Sequence, residues 1–158
     1  MRTKYFFIVI PLLILTTSFA QSQNKTFDPT GTYKLDSKVT KKDGDTYGYF
    51  GTIQVKSIIN KKIVMTFYIC KGAPSYNSGS FVDTLFYDNN KAVYADEDTA
   101  KKCLTTFLFS AKGIDVSENA NYDLGTCWGA GVFAKGHFIK TSSKSPKLIE
   151  PLTGDKLK

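Results

Sequence analysis

From Gly31 to Lys140 the chain breaks into short runs of aromatic and β-branched residues, each bounded by a turn signal. That alternation constrains the fold more than any other feature. The runs are Gly31–Leu35, Thr46–Lys56, Ile63–Ile69, Phe81–Tyr87, Lys91–Ala95, Cys103–Ser110, Ile114–Ser117 and Cys127–Lys140. Between them lie Asp43-Gly44-Asp45, Asn60-Lys61-Lys62, Asp88-Asn89-Asn90 and Lys112-Gly113, residues that tolerate tight turns and positive φ. Within Thr46–Lys56, the residues Tyr47, Tyr49, Ile53 and Val55 share one parity, with Gly51 among them as a bend or bulge. Ile63, Met65, Phe67 and Ile69 repeat the pattern. No long stretch carries a helical period. Regularly spaced short strands predict an all-β chain, a single antiparallel barrel or sandwich of about eight strands.

The segment before this pattern reads as an address. Met1-Arg2-Thr3-Lys4 is basic, Tyr5–Leu15 is almost wholly apolar, and Ser18-Phe19-Ala20 places small residues at a cleavage site. Residues 1–20 are therefore expected to be a secretory signal peptide, and the protein to be periplasmic or secreted. The apolar run is shorter than the roughly 20 residues a membrane span needs, and no second one follows, so no stable membrane insertion is expected after cleavage. The whole chain has 158 residues and a formal net charge of +7, and two of its basic residues fall within the signal. Residues 21–30 read as a flexible lead, 31–140 as the β domain, and 141–158, which carry Pro146 and Pro151, as a loose polar tail.

Three cysteines, Cys70, Cys103 and Cys127, follow the signal. An exported chain meets an oxidising compartment, where a disulfide persists. Cys103 and Cys127 each open a strand-like run, and their spacing leaves room for a hairpin, so they are the expected pair. A loop of that length contributes about 3–4 kcal/mol in the chain-entropy model. Cys70 is left over, at the end of an apolar run, and reads as a buried free thiol. The cysteine spacings do not resemble a metal site, and neither a metal nor another cofactor is implied.

Few residues suggest chemistry. His137 is the only histidine and has no nucleophile motif beside it, so it reads as a solvated strand residue. Asp96-Glu97-Asp98 lacks the alternation of a calcium loop. Gly129-Ala130-Gly131 and Gly136 sit within a strand-like run and read as a bulge or barrel corner, with no helix following them to make a phosphate loop. The lysine pairs fall at turns and are not interleaved with aromatics, which argues against nucleic acid. Trp128 reads as core beside the disulfide. The Lys71–Ser80 loop is the outstanding feature. It is rich in Gly, Pro, Ser and Asn, carries one aromatic, and fits both a binding loop and an ordinary solvated one.

Gly31-Thr32-Tyr33, the segment Gly72–Phe81, and Cys103…Cys127-Trp128-Gly129 with Gly136 resemble small exported bacterial β-barrel proteins of uncharacterised function. Their usual last motif reads cysteine-glycine-phenylalanine-glycine, and here Trp128 replaces the middle pair. More distantly, the chain is similar to periplasmic c-type lysozyme inhibitors, small disulfide-bearing barrels that insert a Ser-Gly loop into the lysozyme cleft. Ser78-Gly79 would stand for that motif, with Phe81 in place of the usual tyrosine.

The expectation is thus a non-catalytic binding protein, not an enzyme, that recognises a protein or cell-envelope component in a lysozyme-inhibitor-like manner. Its contacts would come from Ser75, Tyr76, Asn77, Ser78, Gly79 and Ser80. Ser75, Tyr76, Ser78 and Ser80 would donate hydrogen bonds, and Tyr76 would add area. A second reading is a small-ligand carrier whose barrel interior is lined by Tyr47, Tyr49, Phe67, Phe107 and Phe109. A third is an envelope hydrolase, for which no convergent polar set is visible.

Overall fold

The computed structural model describes residues 26–95, 103–119 and 127–157. Over these the chain is all-β, and the strands run β1 (Gly31–Leu35), β2 (Thr40–Lys42), β3 (Asp45–Ile58), β4 (Lys62–Gly72), β5 (Ser78–Phe86), β6 (Lys91–Ala95), β7 (Leu104–Ser110), β8 (Gly113–Asn119) and β9 (Gly136–Ser142). All but β2 form a nearly closed antiparallel barrel in the order β5-β4-β3-β1-β9-β8-β7-β6, and β2 pairs with β3 outside that path. The barrel is the expected architecture. Asn60 and Lys61 turn β3 into β4 at positive φ, and Asn89 and Asn90 turn β5 into β6 in the same way.

Alternation decides which residues fill the barrel. Ile53 and Val55 on β3 face inward with Ile63, Met65, Phe67 and Ile69 on β4, all fully buried. Phe67 stands at the centre. Its ring lies 5.0 Å from Trp128, 5.6 Å from both Phe81 and Phe107, and 6.0 Å from Phe138. Such stacked, tilted and edge-on pairs add to the burial of large apolar area.

One end of the barrel, the base, is closed by the segment before β1. The Tyr33 hydroxyl donates to the Pro29 carbonyl oxygen at 2.7 Å, and the Tyr87 hydroxyl donates to that of Phe27 at 2.8 Å. The Asn90 side-chain oxygen accepts the Phe27 N–H at 2.8 Å. Burial raises both tyrosines above their ordinary range, Tyr87 to about 12. Thr30 donates hydrogen bonds to Asp28 that hold its carboxyl below the usual value.

Three expectations change. Cys127–Lys140 is not one long strand. Only β9 is extended, and residues 127–135 fold as turns because Gly129 and Gly131 take positive φ of 115° and 69°. The irregularity in β3 falls between Tyr47 and Phe50, where Gly48 has φ 95°, and not at Gly51. That shift leaves Tyr47 exposed at 40%. The tail is not loose either. Residues 148–157 form a small hairpin in which the Leu157 N–H donates to Leu148 and the Glu150 N–H donates to Asp155. It lies over the outer face of β3 and β4, and the Ile149 N–H donates to the Gln54 side chain at 3.0 Å.

Candidate functional site

The end opposite the base, the mouth, gathers the residues that the sequence singles out. The connection between β4 and β5 is shorter than expected. Residues 73–77 alone are outside strands, because β4 runs to Gly72 and β5 starts at Ser78. Its apex, Pro74 to Tyr76, is exposed.

The apex is braced from both sides. The Tyr76 hydroxyl donates to Asp45 at 2.9 Å and accepts the Thr46 N–H at 2.8 Å. The Ala73 N–H donates to the Thr46 carbonyl oxygen, and the Tyr76 N–H to that of Gly72. On the other side the Asn77 amide donates to the Ala130 carbonyl oxygen at 2.6 Å. The Tyr49 hydroxyl donates to the Gly131 carbonyl oxygen at 2.8 Å, so the turns after Cys127 are held at the same place.

The expected roles divide accordingly. Tyr76 does not have a spare donor, since its hydroxyl proton goes to Asp45. Its exposed ring remains as contact area. Ser78, Gly79 and Ser80 belong to β5 and pair with Cys70, Ile69 and Tyr68, so they are not loop residues. Gly79 is required where it stands. A Cβ there would come within 2.6 Å of Trp128 Cβ, closer than carbon atoms approach. The Ser-Gly pair therefore sits against the Trp128 segment, and Ser75 with Pro74 and Tyr76 forms the apex.

Trp128 is core, as expected. It is 7% exposed and lies against Phe67, Phe81 and Tyr94. Cys103 and Cys127 are joined, with Cα atoms 5.8 Å apart, and Cys70 is a buried free thiol. The disulfide pins β7 and the mouth segment together. Among the described residues, three buried polar atoms at this end lack a hydrogen-bond partner: Trp128 Nε1, Thr105 Oγ1 and Glu118 Oε1. Thr105 and Glu118 are register partners on β7 and β8. The other Glu118 oxygen accepts the Ala134 N–H at 2.6 Å.

A groove of about 440 Å³ opens beside the mouth, walled by Leu35, Tyr49 and Phe133 with Asp36 and Lys135 at its rim. The Lys135 ammonium stands 5.3 Å from the centre of the Phe133 ring. Sequence reasoning missed this groove because Phe133 and Lys135 were placed in a strand. The glycines on either side of Ala130 were the available signal.

The residues assigned to a ligand-lined interior do not form one chamber. Phe67 and Phe107 are fully buried against each other and Phe109 is 6% exposed, while Tyr49 and Tyr47 sit at the mouth. His137 pairs with Asp115 at 2.7 Å, and its other ring nitrogen faces the Lys112 carbonyl oxygen at 3.3 Å, not a serine or cysteine side chain. Asp96, Glu97 and Asp98 lie outside the described residues. The chain matches no protein-family model, no curated protein and no solved structure.

Proposed function

We propose that the chain is a non-catalytic, exported binding protein that recognises a protein or cell-envelope component with its barrel mouth. One observation carries this reading: an exposed apex, Pro74-Ser75-Tyr76, braced from two independent elements by Tyr76 and Asn77. A contact loop held before binding loses little conformational entropy on association, so more of its contact energy appears as affinity. Stacking on the Tyr76 ring and hydrogen bonds from Ser75 supply the contacts, and the adjoining groove receives a partner side chain. The disulfide suits the oxidising compartment that export implies.

A lysozyme is the first partner to test, on the resemblance of Ser78-Gly79. Two facts weigh against it. That pair lies in the β4–β5 ladder, and a basic chain associates slowly with a basic enzyme. Affinity capture from envelope extracts, run beside a lysozyme-inhibition assay, tests the reading. Ser75→Arg is the informative variant, because Ser75 is exposed and the change leaves the braces intact. The reading expects one partner to be captured by the native protein and lost with Ser75→Arg. A partner retained equally by both discards it.

A further inference from the structure

The barrel has three outer sectors, and they are finished differently. The face of β3 and β4 lies under the tail hairpin. The face of β8 and β9 carries the Asp115–His137 pair. Among the described residues, nothing lies over the face of β5, β6 and β7. Its outward residues include Val82, Phe86, Val93, Leu104 and Leu108, exposed by 37% to 60%. This sector also contains the seam, since β5 and β6 end the sheet path and pair with each other only through the bridge Asp88–Lys91 beside their turn.

Charge sets this face apart. The chain carries +7 overall, +5 once Arg2 and Lys4 of the expected signal are removed, so two copies repel over most approaches. The outward row of β5 is Ser78, Ser80, Val82, Thr84 and Phe86, and that of β7 is Leu104, Thr106, Leu108 and Ser110, all uncharged. The one charge on β5, Asp83, has the opposite parity and accepts the Thr84 N–H from its own backbone. A membrane is a poor fit, because among its described residues the sector offers a single cation, Lys91, where an anionic surface asks for several.

The surface is also self-complementary in shape. Phe86 is the most exposed of its apolar residues at 60%, and it forms one wall of a groove of about 240 Å³ completed by Ala92 and Val93, with Asp88 and Lys91 at its rim. A two-fold axis through this face places each copy's knob against the other's groove, the arrangement an isologous contact requires. We propose that the β5–β7 face is the self-association surface of this protein. The sector is small beside the roughly 800 Å² per partner of a standard interface, so the dimer is weak and its population depends on concentration.

Sedimentation equilibrium on the protein as recovered from the envelope fraction tests the proposal. The average mass is expected to climb toward twice the monomer value as concentration rises. Phe86→Lys is expected to weaken the dimer at least about tenfold, as loss of a central aromatic contact does. Ile139→Lys, on β9 across the barrel and 44% exposed, is expected to leave it unchanged. Both sites are exposed, and an unchanged near-UV circular dichroism spectrum verifies that each variant is folded. A mass that stays monomeric at every concentration overturns the proposal, as does a Phe86→Lys dimer as strong as the native one. A monomer that binds neutral vesicles through Phe86 overturns it in favour of a membrane.

Discussion

The base and the mouth are closed by the same means, a non-strand segment folded across an end of the barrel, yet their polar groups are treated in opposite ways. At the base, the buried hydroxyls of Tyr33 and Tyr87 and the side chain of Asn90 have partners in the Phe27–Pro29 backbone. At the mouth, Trp128 Nε1, Thr105 Oγ1 and Glu118 Oε1 are buried without partners among the described residues. An unpaired buried polar atom costs about 1–3 kcal/mol, whereas a paired one is mildly stabilising. Among the described residues, the base thus pairs its buried polar groups and the mouth leaves three unpaired.

The mouth is held covalently by the Cys103–Cys127 disulfide. Replacing Cys103 and Cys127 with serine is expected to have the largest effect, a loss of about 2–5 kcal/mol in urea unfolding. A loss well below that range would mean that Trp128 packing alone holds the mouth. Next in size is Tyr33→Phe, which leaves the Pro29 carbonyl without its donor and is expected to cost about 1–2 kcal/mol. A neutral result would erase the contrast between the ends.

The same tyrosines make the base sensitive to alkali. Their folded values lie above the unfolded one of about 10, so folding keeps protons that the unfolded chain releases. Their contribution is complete below about pH 10 and is lost as the pH rises through the Tyr87 value of about 12. Urea midpoints are expected to fall across that window, and to fall less in Tyr87→Phe. An equal fall in the variant would place the alkaline sensitivity elsewhere.

The smallest effect is the sharpest. Thr105→Val keeps the shape and removes an unpaired hydroxyl, so it is expected to be neutral or to stabilise by up to about 1 kcal/mol. A cost like that of Tyr33→Phe would show that the hydroxyl is satisfied in solution, and the two ends would then be alike.

Legibility in the sequence followed the physics of each segment. β1 and β6 were readable to the residue, since turn residues bound them and β-branched or aromatic residues fill them. Cys127–Lys140 misled because Trp128, Val132, Phe133 and Phe138 supply strand-like content, while the conformations of Gly129 and Gly131 are local decisions that composition does not show. The limits of the candidate loop were misjudged for the converse reason. Ser78-Gly79-Ser80 is turn-like in composition, but Gly79 is small because Trp128 lies on it, a long-range contact. Of the candidate contact residues, Ser75 and Tyr76 keep an apex position. The bracing groups Asp45 and Ala130 were invisible, since neither is near the loop in sequence. The tail hairpin depends on Glu150, whose side chain accepts the Leu152 N–H at 2.8 Å, a capping role that a scatter of prolines concealed.

The place of β1 between β3 and β9 has a kinetic consequence. β1 finds one neighbour almost at once, but the other lies at the far end of the chain. The Thr141 hydroxyl donates to the Thr32 carbonyl oxygen across a separation of 109 residues. The hairpins β3–β4–β5 and β6–β7–β8 can assemble locally, whereas the barrel cannot close until its last strand has emerged. Closure is then a late step paid in loop entropy, and folding falls in the slow range of β proteins, milliseconds to seconds. A chain arranged in this way stays open, with its core unsealed, for as long as its C-terminal third is withheld.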